Sequence, residues 1–238
     1  MLRESYQITN FEGLDNLVCS RIKYKSQIIA ILISSLKVVL TDFSPKKEEG
    51  TGIFYIKEYQ SKRRIFFSVN DEEDKVMKHF SFIFPFGILK NEGEIYFTLN
   101  NCRQPIDLYT LEILSALSDN KWFCDNNENN HDILIFFESY MDAIGEFNVS
   151  AEFETELWSI IKLLLTFEPG YIRYDYDVEN FIEHVHPLHH IDVYYSDIGT
   201  FKLGLHESVN ISERLEFSTF EDILLDGAKR SKYCYKLI

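Results

Sequence analysis

The fold class follows from four short segments: Gly52-Ile-Phe-Tyr-Ile-Lys-Glu58, Arg64-Ile-Phe-Phe-Ser-Val69, His79-Phe-Ser-Phe-Ile-Phe84 and Glu94-Ile-Tyr-Phe-Thr-Leu99. Each is rich in aromatic or β-branched residues, which pack well on the pleated surface of a sheet. Charged, turn-forming stretches such as residues 70–74 and 90–93 separate them. This spacing is typical of an antiparallel meander.

Helical patterns surround these segments. Apolar residues recur every three or four positions over 8–22, which predicts a first amphipathic helix. A second helix is predicted from Pro105 or Asp107 to about residue 117. A third has Ser150 as its N-cap and ends at Pro169-Gly170. Ser218-Thr-Phe-Glu221 has the capping-box pattern and predicts a terminal helix.

The remaining segments that are expected to form regular structure are mostly apolar. Residues 28–32 and 38–41 are β-branched, and regular structure is expected to end at Asp42-Phe-Ser-Pro45. Residues 132–137 are interpreted as a buried strand. Three more strands are predicted over residues 171–177, 191–195 and 200–205. We therefore expect an α+β fold, mainly antiparallel sheet with several packed helices, in a single domain over residues 1–238 with a softer boundary near residues 125–130.

Composition limits the classes of function. The 238 residues are 45% apolar and 15% aromatic, enough for a substantial core. The net charge of −14 disfavours direct binding to nucleic acid, because such binders neutralise phosphates with an excess of Lys and Arg. It suits a solubilising surface, or one that docks a basic protein partner.

Compartment and membrane topology are also predicted from the sequence. The four cysteines are far apart and form no Cys-x-x-Cys pair, which is typical of reduced thiols in a reducing compartment. The start of the chain lacks the pattern of a secretory signal, and the apolar run 28–40 is interrupted by Ser34, Ser35 and Lys37. We expect a cytoplasmic protein with no membrane segment.

The densest polar chemistry lies between residues 173 and 192. This block reads Arg173-Tyr-Asp-Tyr-Asp177 and, after a short loop, His184-Val-His-Pro-Leu-His-His-Ile-Asp192. It holds four of the seven histidines. If both halves are strands, Arg173, Asp175 and Asp177 share one face, and His190 and Asp192 share a face of the other strand.

Pairing of these two strands would bring a cation, carboxylates and an imidazole together. Asp175, His190 and Asp192 are the candidate ligands of a divalent metal such as Mn²⁺, Mg²⁺ or Zn²⁺, since carboxylate and imidazole suit those ions. In that hypothesis Arg173 contacts a phosphoryl oxygen and His186 moves a proton. The structural alternative is that Arg173 forms a salt bridge with Asp175 or Asp192, and that the histidines cap a turn or pack against aromatic rings.

This block resembles one shared by an uncharacterised bacterial domain-of-unknown-function family. The resemblance covers Arg173-Tyr-Asp-Tyr-Asp177, His186-Pro-Leu-His-His-Ile-Asp192 and Thr200-Phe-Lys-Leu-Gly204, and is confined to the C-terminal third. It implies a role in mobile-element or phage-defence systems and supplies no activity.

Two main function hypotheses remain. The first is a cytoplasmic interaction or regulatory component, of a phage-defence or toxin-antitoxin type system, that binds a protein partner through an acidic, aromatic-rich surface. The second is a metal-dependent hydrolase or nuclease that uses the block from Arg173 to Asp192. A small-ligand or nucleotide sensor that uses Arg173 is a third possibility. Whether the chain is an enzyme stays open at this point.

Overall fold

The computed structural model describes residues 5–42, 51–59, 62–70, 76–91, 94–99, 105–124, 133–147, 149–182, 187–196, 199–204, 216–218 and 220–221. The helices are α1 (Leu14–Cys19), α2 (Lys25–Leu40), α3 (Leu108–Asp119), α4 (Ile133–Ile144) and α5 (Ala151–Thr166). The strands are β1 (Tyr6–Ile8), β2 (Gly52–Tyr59), β3 (Lys62–Asn70), β4 (Val76–Ile83), β5 (Gly87–Asn91), β6 (Glu94–Thr98), β7 (Pro105–Ile106), β8 (Ile172–Tyr176), β9 (His189–Ser196) and β10 (Gly199–Gly204).

Seven strands form the main sheet, in the order β1-β2-β3-β4-β8-β9-β10. Every neighbouring pair in it is antiparallel. The predicted α+β class, mainly antiparallel sheet with several helices, is confirmed. So are the first three strands of the meander, because β2, β3 and β4 are consecutive in the sheet.

The fourth segment, residues 94–99, does not continue that meander. It forms β6 in a separate three-stranded sheet, between β5 and β7. The chain leaves the main sheet at Pro85, which has no backbone N–H to donate to a neighbouring strand. β5 was not predicted from the sequence.

The predicted helix over residues 8–22 is wrong at both ends, because α1 covers only Leu14–Cys19. Tyr6–Ile8 instead pairs with β2, and Tyr6 lies opposite Phe54. A 3-10 turn follows, in which Glu12 and Gly13 both have left-handed backbone angles, with φ of 55° and 65°. Because that conformation interrupts a right-handed helix, α1 begins only at Leu14.

The two β-branched runs at 28–32 and 38–41 belong to one helix, α2. It is buried on nearly all sides and packs in the main core with one face of the large sheet. The polar side chains within α2 have hydrogen-bond or ion-pair partners. Ser35 Oγ donates to the Ile31 carbonyl at 2.7 Å, and Lys37 Nζ contacts Glu12 at 2.8 Å and Glu112 at 3.1 Å. A helix that is apolar all round is a core helix.

The interpretation of residues 132–137 as a buried strand is also wrong, because residues 133–144 form α4. Tertiary packing explains the helix. The Tyr140 ring lies 4.9 Å from the Trp158 ring on α5, and its hydroxyl donates to the Glu154 carbonyl. The short apolar run carried no periodicity that separates a strand from a buried helix.

The other two central helices were predicted correctly. Asp107 caps α3 by accepting a hydrogen bond from the Thr110 amide at 2.8 Å, and Ser150 caps α5 by accepting one from the Phe153 amide at 3.3 Å. These caps satisfy amides that have no partner within the first turn of a helix.

The second face of the large sheet carries a smaller apolar cluster of Phe66, Tyr174, Ile191 and Phe220. Residues 217, 218, 220 and 221 are helical, so helical structure begins one residue before the predicted cap, Ser218. The Glu221 carboxylate contacts Tyr55 and Lys57 on β2. Among the described residues, no helix is long and apolar enough to cross a membrane.

Candidate functional site

Strands β8 and β9 are neighbours, and their register brings the polar block together. Arg173 lies opposite Asp192, and Asp175 lies opposite His190. All four side chains stand on the sheet face that carries the main core, and we call them the polar cluster. The prediction that Asp177 shares this face is wrong, because β8 ends at Tyr176 and Asp177 Oδ1 instead accepts hydrogen bonds from Asn180.

Arg173 joins the two carboxylates of the polar cluster. Its Nε donates to Asp175 Oδ2 at 2.7 Å, and its Nη2 donates to Asp192 Oδ2 at 2.6 Å. The residue is only 9% exposed. Burial alone would lower the pKa of Arg173, but Tyr171 and the two carboxylates raise it above the ordinary value for arginine. The guanidinium is therefore charged, and with the two carboxylates it sums to one negative charge.

His190 completes the cluster, and one hydrogen bond fixes its orientation. Its Nδ1 lies 2.8 Å from the Pro187 carbonyl, which can only accept, so Nδ1 carries a proton. The other ring nitrogen, Nε2, lies 3.5 Å from Asp175 Oδ2 and 3.8 Å from Asp192 Oδ1. The residue is fully buried. Nε2 thus faces the two carboxylates, an arrangement that suits a metal ion at this nitrogen.

The neighbouring groups also change the pKa of the Asp175 carboxyl. Burial opposes ionisation of this carboxyl, but the hydrogen bond from His190 and the charge of Arg173 lower its pKa below the ordinary value. The carboxylate form is thus stabilised by two cationic or donor groups on different strands.

Two neighbours of the cluster were missed by the sequence analysis. Lys78 on β4 lies opposite Asp175, is 5% exposed, and donates to the Cys19 and Ser20 carbonyls at 3.1 and 2.9 Å. Burial and the charge of Arg173 lower the pKa of Lys78 to about 8. Tyr171 is 2% exposed, and burial raises its pKa. Only the strand order identifies Lys78 as a neighbour, because it lies about a hundred residues away in sequence.

The three proposed ligands could hold a metal ion. One ligand atom from each of Asp175, His190 and Asp192 lies within 4.8 Å of the others. Ligands on one ion with bonds of about 2 Å are at most about 4 Å apart, so a small inward movement suffices. The carboxylate side chains are 15% and 17% exposed, which leaves an approach from water. Since Asp175 Oδ2 already accepts from Arg173, an ion would share or displace that contact.

The other histidines of the block are not in this cluster. His189 stands on the opposite face of the sheet, where its Nδ1 lies 2.9 Å from the Tyr174 hydroxyl and its ring packs 5.0 Å from the Tyr176 ring. His184 and His186 lie outside the described residues, so the proton-transfer role predicted for His186 stays a prediction.

A second candidate region consists of exposed apolar side chains beside α5. Leu108 and Tyr109 on α3 are 42% and 48% exposed, and Leu134 and Phe137 on α4 are 70% and 37% exposed. We call these four residues the flanking surface. They reach α5 through two aromatic contacts, Tyr109 with Phe153 at 5.4 Å and Phe137 with Trp158 at 5.1 Å. Acidic side chains exposed on the same helices are Glu112, Glu138, Asp142 and Glu152.

No protein-family model, no curated protein and no solved structure matches this chain.

Proposed function

We propose that this protein is a cytoplasmic interaction or regulatory component that binds a protein partner through the flanking surface. The observation that carries this proposal is the exposure of large apolar side chains on two helices, above all Leu134 at 70%. Exposed apolar residues are common singly, but several of them on two helices that both contact α5 suit a docking site.

The chemistry of the surroundings describes the partner. Tyr109 and Phe137 are held by ring contacts with Phe153 and Trp158, so they lose little conformational freedom on binding. Aromatic side chains of this kind are enriched among residues that dominate interface energies. The exposed acidic residues on the same helices, and the net charge of −14, favour a partner with a basic rim.

The biological setting is supported by the resemblance of the C-terminal third to the uncharacterised bacterial family. On that basis the complex belongs to a phage-defence or toxin-antitoxin type system. A protein that acts by binding a partner also needs no complete active site of its own.

The test places a photo-crosslinking amino acid at position 134 and identifies the protein attached to it in the source cell. We expect one dominant crosslinked protein, lost in the Phe137→Asp variant. A matched control puts the same crosslinker at Val178, which is 60% exposed and lies after the end of β8. Equal labelling from positions 134 and 178 would contradict the proposal.

A second candidate, a metal-dependent hydrolase or nuclease, is favoured by one specific observation: His190 Nε2 faces Asp175 and Asp192 while its Nδ1 is held by a carbonyl. Metal-binding histidines characteristically donate their second ring N–H to such an acceptor. A divalent ion here would lower the pKa of a bound water and supply hydroxide. Arg173, released from Asp175 by the ion, would contact a phosphoryl oxygen.

The second candidate is tested by the metal content of untagged protein purified without chelator. Near-stoichiometric metal that disappears in the His190→Ala, Asp192→Ala double variant would support it and justify nuclease assays. A protein without metal, even after addition of Mn²⁺ or Zn²⁺, would leave the polar cluster as an ion-pair network that holds β8 to β9.

A further inference from the structure

A cavity of about 70 Å³ lies between the three-stranded sheet and helices α3 and α5. We call it the α3–α5 pocket. The residues that line it come from the end of β6, from β7 and from both helices: Leu99, Pro105, Ile106, Asp107, Thr110, Phe153, Glu156, Leu157 and Ile160.

The α3–α5 pocket combines a buried apolar wall with carboxylates near water. Ile106, Leu157 and Ile160 are buried. Asp107 is exposed and Glu156 is half-buried, so these two residues lie at the edge of the pocket. A ligand that lies along the pocket would therefore contact apolar groups over its length and a carboxylate at its end.

The two carboxylates at this edge keep their negative charge without a cation from the described part of the chain. Asp107 Oδ1 accepts from the Thr110 amide at 2.8 Å and from the Thr110 hydroxyl at 2.7 Å, which holds the carboxylate beside the pocket. Within the same described residues, Asp107 Oδ2 has no hydrogen bond, and Glu156 has neither a hydrogen bond nor an ion pair. The positive end of α3 offsets only about half of one charge. The edge of the pocket is therefore net negative and favours a cationic ligand.

The volume of the pocket limits the shape of that cation. A cavity of about 150 Å³ that is lined by Leu, Ile and Phe binds benzene. The α3–α5 pocket has about half that volume, so it admits a narrow alkyl chain rather than an aromatic ring. Lysine has an unbranched alkyl stem that packs on apolar surface and a compact ammonium, whereas arginine ends in a wider, planar guanidinium.

We propose that the α3–α5 pocket binds a lysine side chain of the protein partner, with its alkyl stem against the apolar wall and its ammonium at Glu156 and Asp107. The pocket adjoins the flanking surface, because Phe153 lines the pocket and its ring lies 5.4 Å from the Tyr109 ring. This assignment rests on the proposed function, since the lysine belongs to the partner that the flanking surface binds. It gives the basic rim of that partner one defined residue.

A small probe tests the pocket without the partner. Nα-acetyl-lysine amide is titrated into the full chain at constant ionic strength, and the amide NMR signals of Thr110 and Leu157 report binding. We expect saturable shifts with a dissociation constant of about 1–10 mM, in keeping with the few atoms that make contact. Nα-acetyl-norleucine amide has a similar apolar stem without the ammonium, and it should bind at least about fivefold more weakly.

Two glutamates on α5 give the matched comparison. Glu156→Gln removes the carboxylate at the pocket and should weaken binding of the lysine probe at least about fivefold. Glu154→Gln removes the same charge from an equally half-buried position that does not line the pocket, and it should leave the dissociation constant unchanged. Leu99→Trp should fill the pocket and abolish binding with both carboxylates in place, which covers the case in which Glu156→Gln does not fold.

Three results would overturn the lysine pocket. One is the absence of saturable shifts up to about 100 mM of the lysine probe. Another is equal affinity for the lysine and norleucine probes, which would make the pocket a purely apolar one. The third is equal loss of affinity in Glu156→Gln and Glu154→Gln, which would reduce binding to attraction by net charge.

The crosslink from position 134 separates failure of the pocket from failure of the docking surface. If the lysine probe does not bind but position 134 still crosslinks one dominant protein, the pocket proposal alone fails. With the pocket in use, Glu156→Gln should lower the yield of that crosslink and Glu154→Gln should not. An unchanged yield in Glu156→Gln would contradict a lysine of the partner in the pocket.

Discussion

Arg173 and Asp192 are register partners on β8 and β9, and their side chains form an ion pair at 2.6 Å. The same guanidinium also bonds Asp175 two residues away on its own strand. One guanidinium therefore pairs with two carboxylates and links the two strands that carry the polar cluster. His190 Nε2 faces the same two carboxylates, at 3.5 Å from Asp175 and 3.8 Å from Asp192.

Removing Arg173 should therefore cost more stability than a surface ion pair. In Arg173→Met, Asp175 and Asp192 lose their common cation in a mostly buried setting, and we expect a loss of about 2–4 kcal/mol in the free energy of unfolding. Chemical denaturation measures it. Combination with Asp192→Asn should recover part of the loss in a double-mutant cycle. Independent, additive effects would show that the two side chains are not coupled.

Acid should act on the protein partly through Asp175. Its pKa is lowered on folding, so its contribution to stability is present above its unfolded pKa and is lost as the pH falls through the lower, folded value. We expect the free energy of unfolding of wild type to fall more steeply below about pH 4 than that of Asp175→Asn. Asp119→Asn, at an exposed helix end, serves as the control and should follow wild type. Parallel curves for wild type and Asp175→Asn would disagree with this assignment.

Lys78 should make stability depend on pH with the same sign, but at high pH. Its pKa is lowered from 10.5 to about 8 on folding, so the unfolded chain binds the proton more tightly between those values. Stability should then increase as the pH rises from about 8 towards 10, and Lys78→Met should lack this increase. Lys162→Met, on the exposed side of α5, should keep it. The measurement is the difference in the free energy of unfolding between wild type and each variant across that pH range.

Gly52 is required where β2 begins. A Cβ there would lie 2.0 Å from the Ser68 carbonyl oxygen, and the residue has a φ of 153°. Gly52→Ala should lower the free energy of unfolding by more than about 2 kcal/mol, since the backbone of β3 has to move. Gly145→Ala, where a Cβ meets nothing within 4 Å, should be neutral or slightly stabilising. Similar melting temperatures for the two variants would be inconsistent with the close contact at Gly52.

Much of the fold could be predicted because local patterns decided it. Period-two alternation placed Arg173 with Asp175 and His190 with Asp192, and the caps Asp107 and Ser150 identified two helices. The failures occurred where tertiary contacts decided the structure. Residues 133–137 are helical because α4 packs on α5, and Tyr6–Ile8 is a strand because β2 lies beside it.

The candidate site was predictable only within its own segment. The sequence predicted that both halves of the polar block are strands. Lys78 is their neighbour only because β4 lies next to β8 in the sheet, and local sequence patterns do not determine strand order. The Pro187 carbonyl that orients His190 has no sequence signature either.

The central claim is that the flanking surface binds a protein partner, and the dissociation constant of the purified complex tests it most directly. Leu134→Asp should weaken binding by at least about 30-fold, the effect of losing a dominant apolar contact of about 2 kcal/mol. Val178→Asp should leave the constant unchanged. Equal affinity of wild type and Leu134→Asp for the partner would contradict the claim and move attention to the polar cluster.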